Sequence, residues 1–185
     1  ERVRDDVFEQ AAVSKQAAKA IYGVVFKRDE SIDTKATAKL RESIRQKRMG
    51  YQGDTSKLRK AAPELELRSM TENLAIYKPN QAKLTHAAEK AALSKGNMPS
   101  KPESRWCCRA CRTDLGLIST NYKLACRRYD APIQSANPNI GDWRRYIDDE
   151  PVFRQFFCPG CGRLIENEIA RKSDELLHDI ELTTK

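Results

Sequence analysis

The chain has 185 residues, of which 34 are Lys or Arg and 26 are Asp or Glu, so its formal net charge at pH 7 is +8. This length is enough for one or two domains with a modest hydrophobic core. It contains no run of about twenty apolar residues, which excludes a transmembrane helix, and its six cysteines are too few for a disulfide scaffold. Because the chain starts at Glu1 without an apolar signal segment, we interpret it as a processed or excised piece, or as a chain whose first residues are unseen.

The N-terminal part is predicted to be helical. Ser14 is a suitable N-cap for a helix over residues 15–22. Asp33 or Thr34 would cap a second, mostly basic helix that ends near Gly50. The first 105 residues carry the whole net positive charge, so a partner of this part should be acidic.

All six cysteines lie in the other part of the chain, beyond a Gly- and Pro-containing stretch over residues 94–103. We therefore predict a helical segment over residues 1–50, an extended or helical linker arm over 51–104, and a metal-binding domain over 105–185. The predicted fold class is α+β, with a helical N-terminal arm followed by a small zinc-ribbon-like β module that contains an inserted helix.

The β module is predicted to contain strands and helices in alternation. Apolar and β-branched runs favour strands at three places, and helical spacing favours helices at two. The strands are predicted at residues 115–119, 122–126 and 164–170, and the helices at 142–156, with an interruption at Pro151, and at 174–182.

Two Cys-x-x-Cys pairs predict a metal centre. Cys108 and Cys111 form the first pair, Cys158 and Cys161 form the second, and 46 residues separate the pairs. Two residues between thiolates give a tight turn that directs both sulfurs to one ion, and four sulfurs make a closed, tetrahedral zinc site. Such a site leaves no position for water, so we expect a structural zinc. Iron is the lesser alternative for four sulfurs.

The remaining cysteines and both histidines fit other roles. Cys107 is adjacent to Cys108 and could replace it as a ligand, although the spacing favours Cys108. Cys126 is expected to be a small core residue. His86 is expected to be solvated, and His178 to pack locally or to contact a partner.

The sequence carries no catalytic motif. It has neither a Gly-rich phosphate loop nor a nucleophile elbow, so no catalytic residue is predicted in this chain. The basic stretch over residues 35–60 contains one aromatic residue, Tyr51, whereas nucleic-acid binders interleave aromatic residues for stacking. We interpret the stretch as a surface that docks on an acidic protein.

The cysteine-containing part resembles the small zinc-containing gamma subunit of acetone carboxylase and of the related acetophenone carboxylase. The resemblance covers residues 106–182. The residues that carry it lie at 108–115, 121–125 and 156–164, with a late Leu-His-Asp at 177–179.

Residues 7–47 resemble a different protein, the C-terminal tail of hydantoinase B-type subunits, mainly through residues 14–25. Acetone carboxylase gamma subunits have no such tail. We therefore hypothesise that this chain is the end of a fused polypeptide or a separate subunit that has acquired the tail.

Together the resemblances imply an accessory subunit of a cytoplasmic, hetero-oligomeric, ATP-dependent ketone carboxylase. Large hydantoinase A/B-like subunits would bind ATP with Mg or Mn, activate the ketone and bicarbonate by phosphorylation, and form a β-keto acid. This chain would contribute one structural Zn. The alternatives are a free-standing zinc-ribbon protein that binds nucleic acid and an accessory module of a hydantoinase-type amidohydrolase. The identity of the ketone stays open between acetone and acetophenone.

Overall fold

A computed structural model describes residues 1–51, 53, 58–79, 103–137 and 139–182. The chain divides into two compact units, Glu1–Gly50 and Tyr51–Lys185. The fold class is α+β, as predicted, with helices in the first unit and antiparallel sheets in the second. In the described ranges, no helix has the length and apolar character needed to cross a membrane.

Three helices form the first unit: α1 (Arg2–Phe8), α2 (Lys15–Ala20) and α3 (Thr34–Met49). Ser14 accepts a hydrogen bond from the Ala17 amide at 3.1 Å and so caps α2. Asp33 caps α3 by accepting one from the Ala36 amide at 2.8 Å. These side-chain acceptors satisfy amides that have no partner inside the first helical turn, which explains why the two helices begin where the sequence predicts.

The first unit has a small core for its length. Among residues 1–50, all of which the structure describes, the buried hydrophobic side chains are those of Ala18 and Val24. Phe8 and Phe26 add an edge-to-face contact with ring centroids 5.0 Å apart. A unit of this size is only marginally stable with so little buried apolar surface.

Two antiparallel sheets form the second unit. The first has the strand order β1-β2-β3-β4, with β1 at Leu67–Ser69, β2 at Leu74–Tyr77, β3 at Arg105–Cys108 and β4 at Asp114–Leu117. The second has the order β5-β6-β7, with β5 at Arg127–Pro132, β6 at Pro151–Phe157 and β7 at Leu164–Arg171. One hydrophobic core is shared by both sheets and includes Leu74, Trp106 and Phe156.

Several predicted elements differ from the structure. Residues 58–79, predicted as part of a linker arm, instead supply β1 and β2 of the first sheet. The predicted strand at 122–126 is a 3₁₀ turn, Tyr122–Ala125, which the Asn121 side chain caps. We predicted a domain boundary at residues 94–103. Of these, residues 94–102 lie outside the described residues.

Both helices predicted in the β module were wrong. Residues 142–156 form a 3₁₀ turn, Trp143–Arg145, followed by β6, so the inserted helix is not present in the part of this stretch that the structure describes. Residues 175–182 have no regular secondary structure. The predicted strands at 115–119 and 164–170 correspond to β4 and β7, which overlap them closely.

Two buried cations connect β6 and β7 with the C-terminal segment. Arg154 is fully buried and donates to the carboxylates of Asp130 and Glu168, at 3.3 Å and 3.2 Å. Lys123 is also buried, and its Nζ lies 2.8 Å from Glu168 and 3.3 Å from Asp179. Each cation therefore has carboxylate partners inside the protein, which offsets the cost of removing it from water.

Replacing Lys123 with Ala should destabilise the protein by about 3–5 kcal/mol, because the substitution breaks the buried pair with Glu168, which keeps only Arg154, and removes the cation beside Asp179. The neighbouring Leu124 is 71% exposed, so Leu124→Ala should change stability by less than about 0.5 kcal/mol. Urea unfolding of the full chain, with zinc at one fixed concentration, measures both. Equal stability of the two variants would contradict the importance of this network.

Candidate metal centre

The first cysteine pair lies in the turn that connects β3 to β4. The Cys108 amide donates to the Thr113 carbonyl at 2.8 Å, and the Arg112 amide donates to the Cys108 carbonyl at 2.8 Å. Arg112 has a φ of 61°, the left-handed conformation that the turn requires after its second cysteine. These bonds direct the Cys108 and Cys111 sulfurs to the same side of the turn.

The second pair lies in the turn from β6 to β7 and repeats this geometry. The Cys158 amide donates to the Arg163 carbonyl at 2.7 Å, and the Gly162 amide donates to the Cys158 carbonyl at 2.9 Å. Gly162 has a φ of 66° and occupies the place that Arg112 takes in the first turn. The two turns are thus local copies of one structure, one at a hairpin of each sheet.

The structure brings the four predicted cysteine ligands together. Their sulfurs all lie within 4.8 Å of one another. Cys108 Sγ is 3.8 Å from Cys161 Sγ, and Cys111 Sγ is 3.5 Å from Cys158 Sγ. Four sulfurs at about 2.3 Å from a zinc ion are about 3.8 Å apart along the edges of the tetrahedron. The spacing of this group therefore fits a zinc ion at its centre.

Thr113 of the first turn lies directly against Gly160 of the second turn, and each residue also contacts a cysteine sulfur of its own turn. The Thr113 hydroxyl lies 3.1 Å from Cys111 Sγ, and the Gly160 amide donates to Cys158 Sγ at 3.4 Å. Such bonds stabilise sulfur as thiolate and orient it toward an ion. A β-carbon on Gly160 would overlap the Thr113 side chain, so glycine is required here by the close approach of the turns.

The other two cysteines lie apart from this group. Cys107 is buried against Ala61, Ala75 and Tyr77, and its burial raises the pKa of its thiol to about 12. Burial likewise raises the pKa of Cys126, whose thiol donates to the Tyr122 carbonyl. Both therefore remain protonated at neutral pH.

The thiol of Cys111 behaves differently. Hydrogen bonds from Cys108 first, and then from the two cysteines of the other pair, hold the pKa of Cys111 below its usual range. The same contacts among the four thiols raise the pKa of Cys158 and of Cys161, so the group loses its protons unevenly. Of the two residues considered for the first position, Cys108 points into the sulfur group and Cys107 does not.

Asp114 is an important residue that sequence reasoning did not single out. It accepts hydrogen bonds from Tyr77 Oη at 2.5 Å, from Arg105 at 2.5 Å and 3.0 Å, and from the Gly116 amide at 2.8 Å. Burial raises the pKa of Asp114, but the bonds from Arg105 and Tyr77 outweigh burial and hold it below its usual range. Asp114 thus links β2, β3 and β4 beside the first turn.

The histidines add no further ligand to the described cysteine group. His86 lies outside the described residues. His178 is half-buried in the C-terminal segment, and its Nδ1 lies 3.5 Å from the Glu181 carboxylate. This local packing agrees with one of the two roles expected for His178.

Replacing Gly160 with Ala should destabilise the protein by about 1–3 kcal/mol, because the added methyl group pushes the two turns apart. Gly141 provides the matched control, since nothing lies within 4 Å of a β-carbon placed there. Gly141→Ala should leave stability unchanged or raise it by up to about 1 kcal/mol. Thermal unfolding at fixed zinc concentration compares the two, and a stable Gly160→Ala variant would contradict the close approach.

Comparison with known proteins identifies the family. The family model described as acetone carboxylase gamma subunit matches residues 87–185, slightly more than half of the chain. The chain is also 32% identical over 83 residues to the acetophenone carboxylase beta subunit of Aromatoleum aromaticum, a match that covers 43% of this chain. It covers 64% of that relative, so the chain spans less than two thirds of the relative's length. The chain belongs to the acetone carboxylase gamma subunit family.

Proposed function

We propose that this chain is a zinc-stabilised, non-catalytic subunit of a multi-subunit, ATP-dependent ketone carboxylase. The match of residues 87–185 to the acetone carboxylase gamma subunit family carries this proposal. The relative from Aromatoleum aromaticum, itself named as a carboxylase subunit, supports it. The proposal includes a cytoplasmic location and a hetero-oligomeric complex.

In this proposal Cys108, Cys111, Cys158 and Cys161 bind one structural zinc ion. The distances between their sulfurs fit such an ion, and four protein ligands leave no coordination position for water or substrate. When bound, zinc would supply folding free energy by joining the two turns. Arg112 and Gly162 would keep the turns open for the ion through their left-handed backbone.

The ionisable groups near this centre have structural partners. Asp114 is held by Tyr77 and Arg105, and the carboxylate of Glu168 is shared by two buried cations. A group with its hydrogen bonds fully used is poorly placed to exchange protons with a substrate. The hydrogen bonds of these groups support a chain without catalytic residues. In the proposed complex, large hydantoinase A/B-like subunits bind ATP with Mg or Mn and act on the ketone.

The first unit is proposed to dock on those large subunits. Helix α3 carries six basic residues and one acidic residue, and its unit buries few apolar side chains of its own. A basic helix beside a small core suits a partner with an acidic rim and an apolar centre, where the charges mainly set orientation and association rate. The likeness of this unit to a hydantoinase B tail is part of the proposal and rests on residues 14–25.

The proposed substrates are acetone or acetophenone together with bicarbonate. The similarity to a subunit named for acetophenone carboxylase favours the aromatic ketone. The product in either case would be a β-keto acid, formed at the expense of ATP.

Replacing Cys108 or Cys161 with Ala should abolish zinc binding, because three sulfurs cannot close the tetrahedral site. Cys107→Ala is the matched control, and it should retain one zinc per chain because Cys107 packs in a separate cluster. Inductively coupled plasma mass spectrometry of the purified chains gives the zinc content. Zinc retained by the Cys108 variant but lost by the Cys107 variant would reverse the assignment.

The function is tested by purifying the chain with its native partners and assaying the complex. We expect copurification with large subunits and carboxylation of acetophenone or acetone by ¹⁴C-bicarbonate that requires ATP. Binding to DNA or RNA that falls steeply with salt, without such subunits, would support the nucleic-acid alternative instead. Hydrolysis of cyclic amides without bicarbonate fixation would identify an accessory module of an amidohydrolase.

Variants of α3 separate docking from chemistry in the same assay. Changing Lys35, Lys39 and Lys47 to Gln should weaken assembly, most visibly at low salt, and leave the ratio of rates on the two ketones unchanged. A changed ketone preference would place this helix at an active site and contradict its docking role.

A further inference from the structure

A groove of about 520 Å³ lies in the first unit, lined by residues of α1, of α3 and of the connection between α2 and α3. We call it the α1–α3 groove. Its apolar lining includes Val3 of α1 together with Val24 and Ile32 of the connection. Val24 is buried, whereas Val3 and Ile32 are half-buried. The side chains of the unit therefore cover this apolar lining only in part.

Hydrogen bonds fasten the connection to α3 and so hold the groove in shape. The Val25 amide donates to the Thr37 hydroxyl at 3.0 Å, and the Asp33 amide donates to the Val25 carbonyl at 2.8 Å. Phe26 and Ile32 pair as an antiparallel bridge within the connection. Thr37 is buried, so its bond to Val25 is shielded from water. A groove that is formed in advance binds a ligand with a smaller loss of conformational entropy.

Three arginines line the groove from both helices: Arg2 from α1, and Arg41 and Arg45 from α3. Arg41 and Arg45 are four residues apart, so they share one face of α3. Arg41 Nε donates to the Tyr22 carbonyl at 3.3 Å, and this neutral acceptor does not cancel the guanidinium charge. Glu1 is the acidic residue of the lining, so the lining side chains carry a net charge of +2.

The placement of these cations favours a protein segment over a small anion. Arginine binds carboxylates through paired N–H donors. Arg45 already pairs with Glu42 within α3, so Arg2 and Arg41, on different helices, are better placed to bind an added carboxylate. A single carboxylate would meet one of these helices, whereas a segment with carboxylates on both sides of apolar residues would meet both and cover the apolar lining between them.

Filling the groove would also add apolar contact to a unit that has little of its own. Among residues 1–50, the buried hydrophobic side chains are those of Ala18 and Val24. A core of this size leaves a unit only marginally stable. A ligand that binds the folded unit and not the unfolded chain stabilises the unit by mass action.

We propose that the α1–α3 groove binds a segment of a partner protein in which apolar side chains lie between carboxylates, with Arg2 and Arg41 binding the carboxylates. The proposal deepens the docking role given above to the first unit, and it rests on the proposed function for the identity of the partner. Its physical basis is the preformed apolar lining, the arginines on both helices and the small core of the unit.

Photo-crosslinking in the native complex tests this. We expect p-benzoylphenylalanine incorporated at Val3 of the full chain to crosslink to a partner peptide that carries apolar residues and at least two carboxylates. The same group incorporated at Arg28, an exposed residue outside the groove, is the matched control and should not label that peptide. No crosslink from Val3 in an assembled complex, or a crosslink to a basic peptide or to a second copy of this chain, would overturn the proposal. Saturable binding of benzoate at the groove, without a crosslinked protein, would assign it to a small acid and also overturn it.

Substitutions test the stated chemistry on the affinity for the protein crosslinked at Val3. Arg2→Gln combined with Arg41→Gln should weaken binding by about tenfold, and Val3→Asp should weaken it at least as much by placing a carboxylate among carboxylates. Lys19→Gln combined with Arg28→Gln is the matched control, because it removes the same charge from exposed residues that do not line the groove. It should bind within about twofold of the unmodified chain. Circular dichroism of each free chain checks that its helices are retained.

Two results of this comparison would contradict the groove. Unchanged affinity of the groove variants would show that the groove is not the binding site. Equal weakening by the control would show that general positive charge, and not the groove, attracts the partner.

The carboxylase assay distinguishes this inference from the proposed function. A crosslink from Val3 to an acidic, apolar segment in a complex that does not fix bicarbonate would preserve the inference and refute the function. Bicarbonate fixation by a complex in which Val3 forms no crosslink would do the reverse.

Discussion

Two hairpin turns, one from each sheet, meet at four cysteine sulfurs, and the arrangement of the second unit depends on this junction. The sheets have four and three strands, and their shared core includes Cys108 and Cys158, which lie where the two hairpins turn. Short sheets of this kind bury limited apolar surface, so cross-links contribute a large share of their stability. The free energy of binding a metal ion to all four sulfurs would stabilise the position of one sheet relative to the other. The close contact of Gly160 with Thr113 imposes the same placement sterically.

The buried cations have a second and different role. Arg154 and Lys123 are almost fully removed from water, which costs free energy that apolar side chains would not incur. Their hydrogen bonds reach the main-chain carbonyls of Arg171, Lys172, Asp174 and Leu177, at the end of β7 and beyond it. These cations therefore set the path of a segment whose weakly apolar sequence could not fix it alone. These charged residues therefore occupy the core because they fix the path of the C-terminal segment, more than because they add to stability.

The features predicted correctly from sequence are those fixed by nearby residues. The helix caps at Ser14 and Asp33 act within three residues, and the Cys-x-x-Cys turns are equally local. The failures came where distant contacts override local pattern. Residues 142–156 have helical spacing, but β6 is held between two strands and buries Arg154, a residue that reads as solvent-exposed in isolation. The ion pair partners of Asp114 and Glu168 come from other strands or turns, so spacing alone gives no signal of them.

The burial of side chains indicates what the positive net charge of the chain is for. In the first unit, α3 carries many basic residues, and the core contains only two buried hydrophobic side chains among residues 1–50. The positive charge therefore lies on a unit that buries little apolar surface of its own. A small ligand would not supply that missing apolar contact, because it lacks the area of a protein surface. An acidic protein surface with an apolar centre would supply both contacts, which supports the proposed assembly of this chain with larger partners.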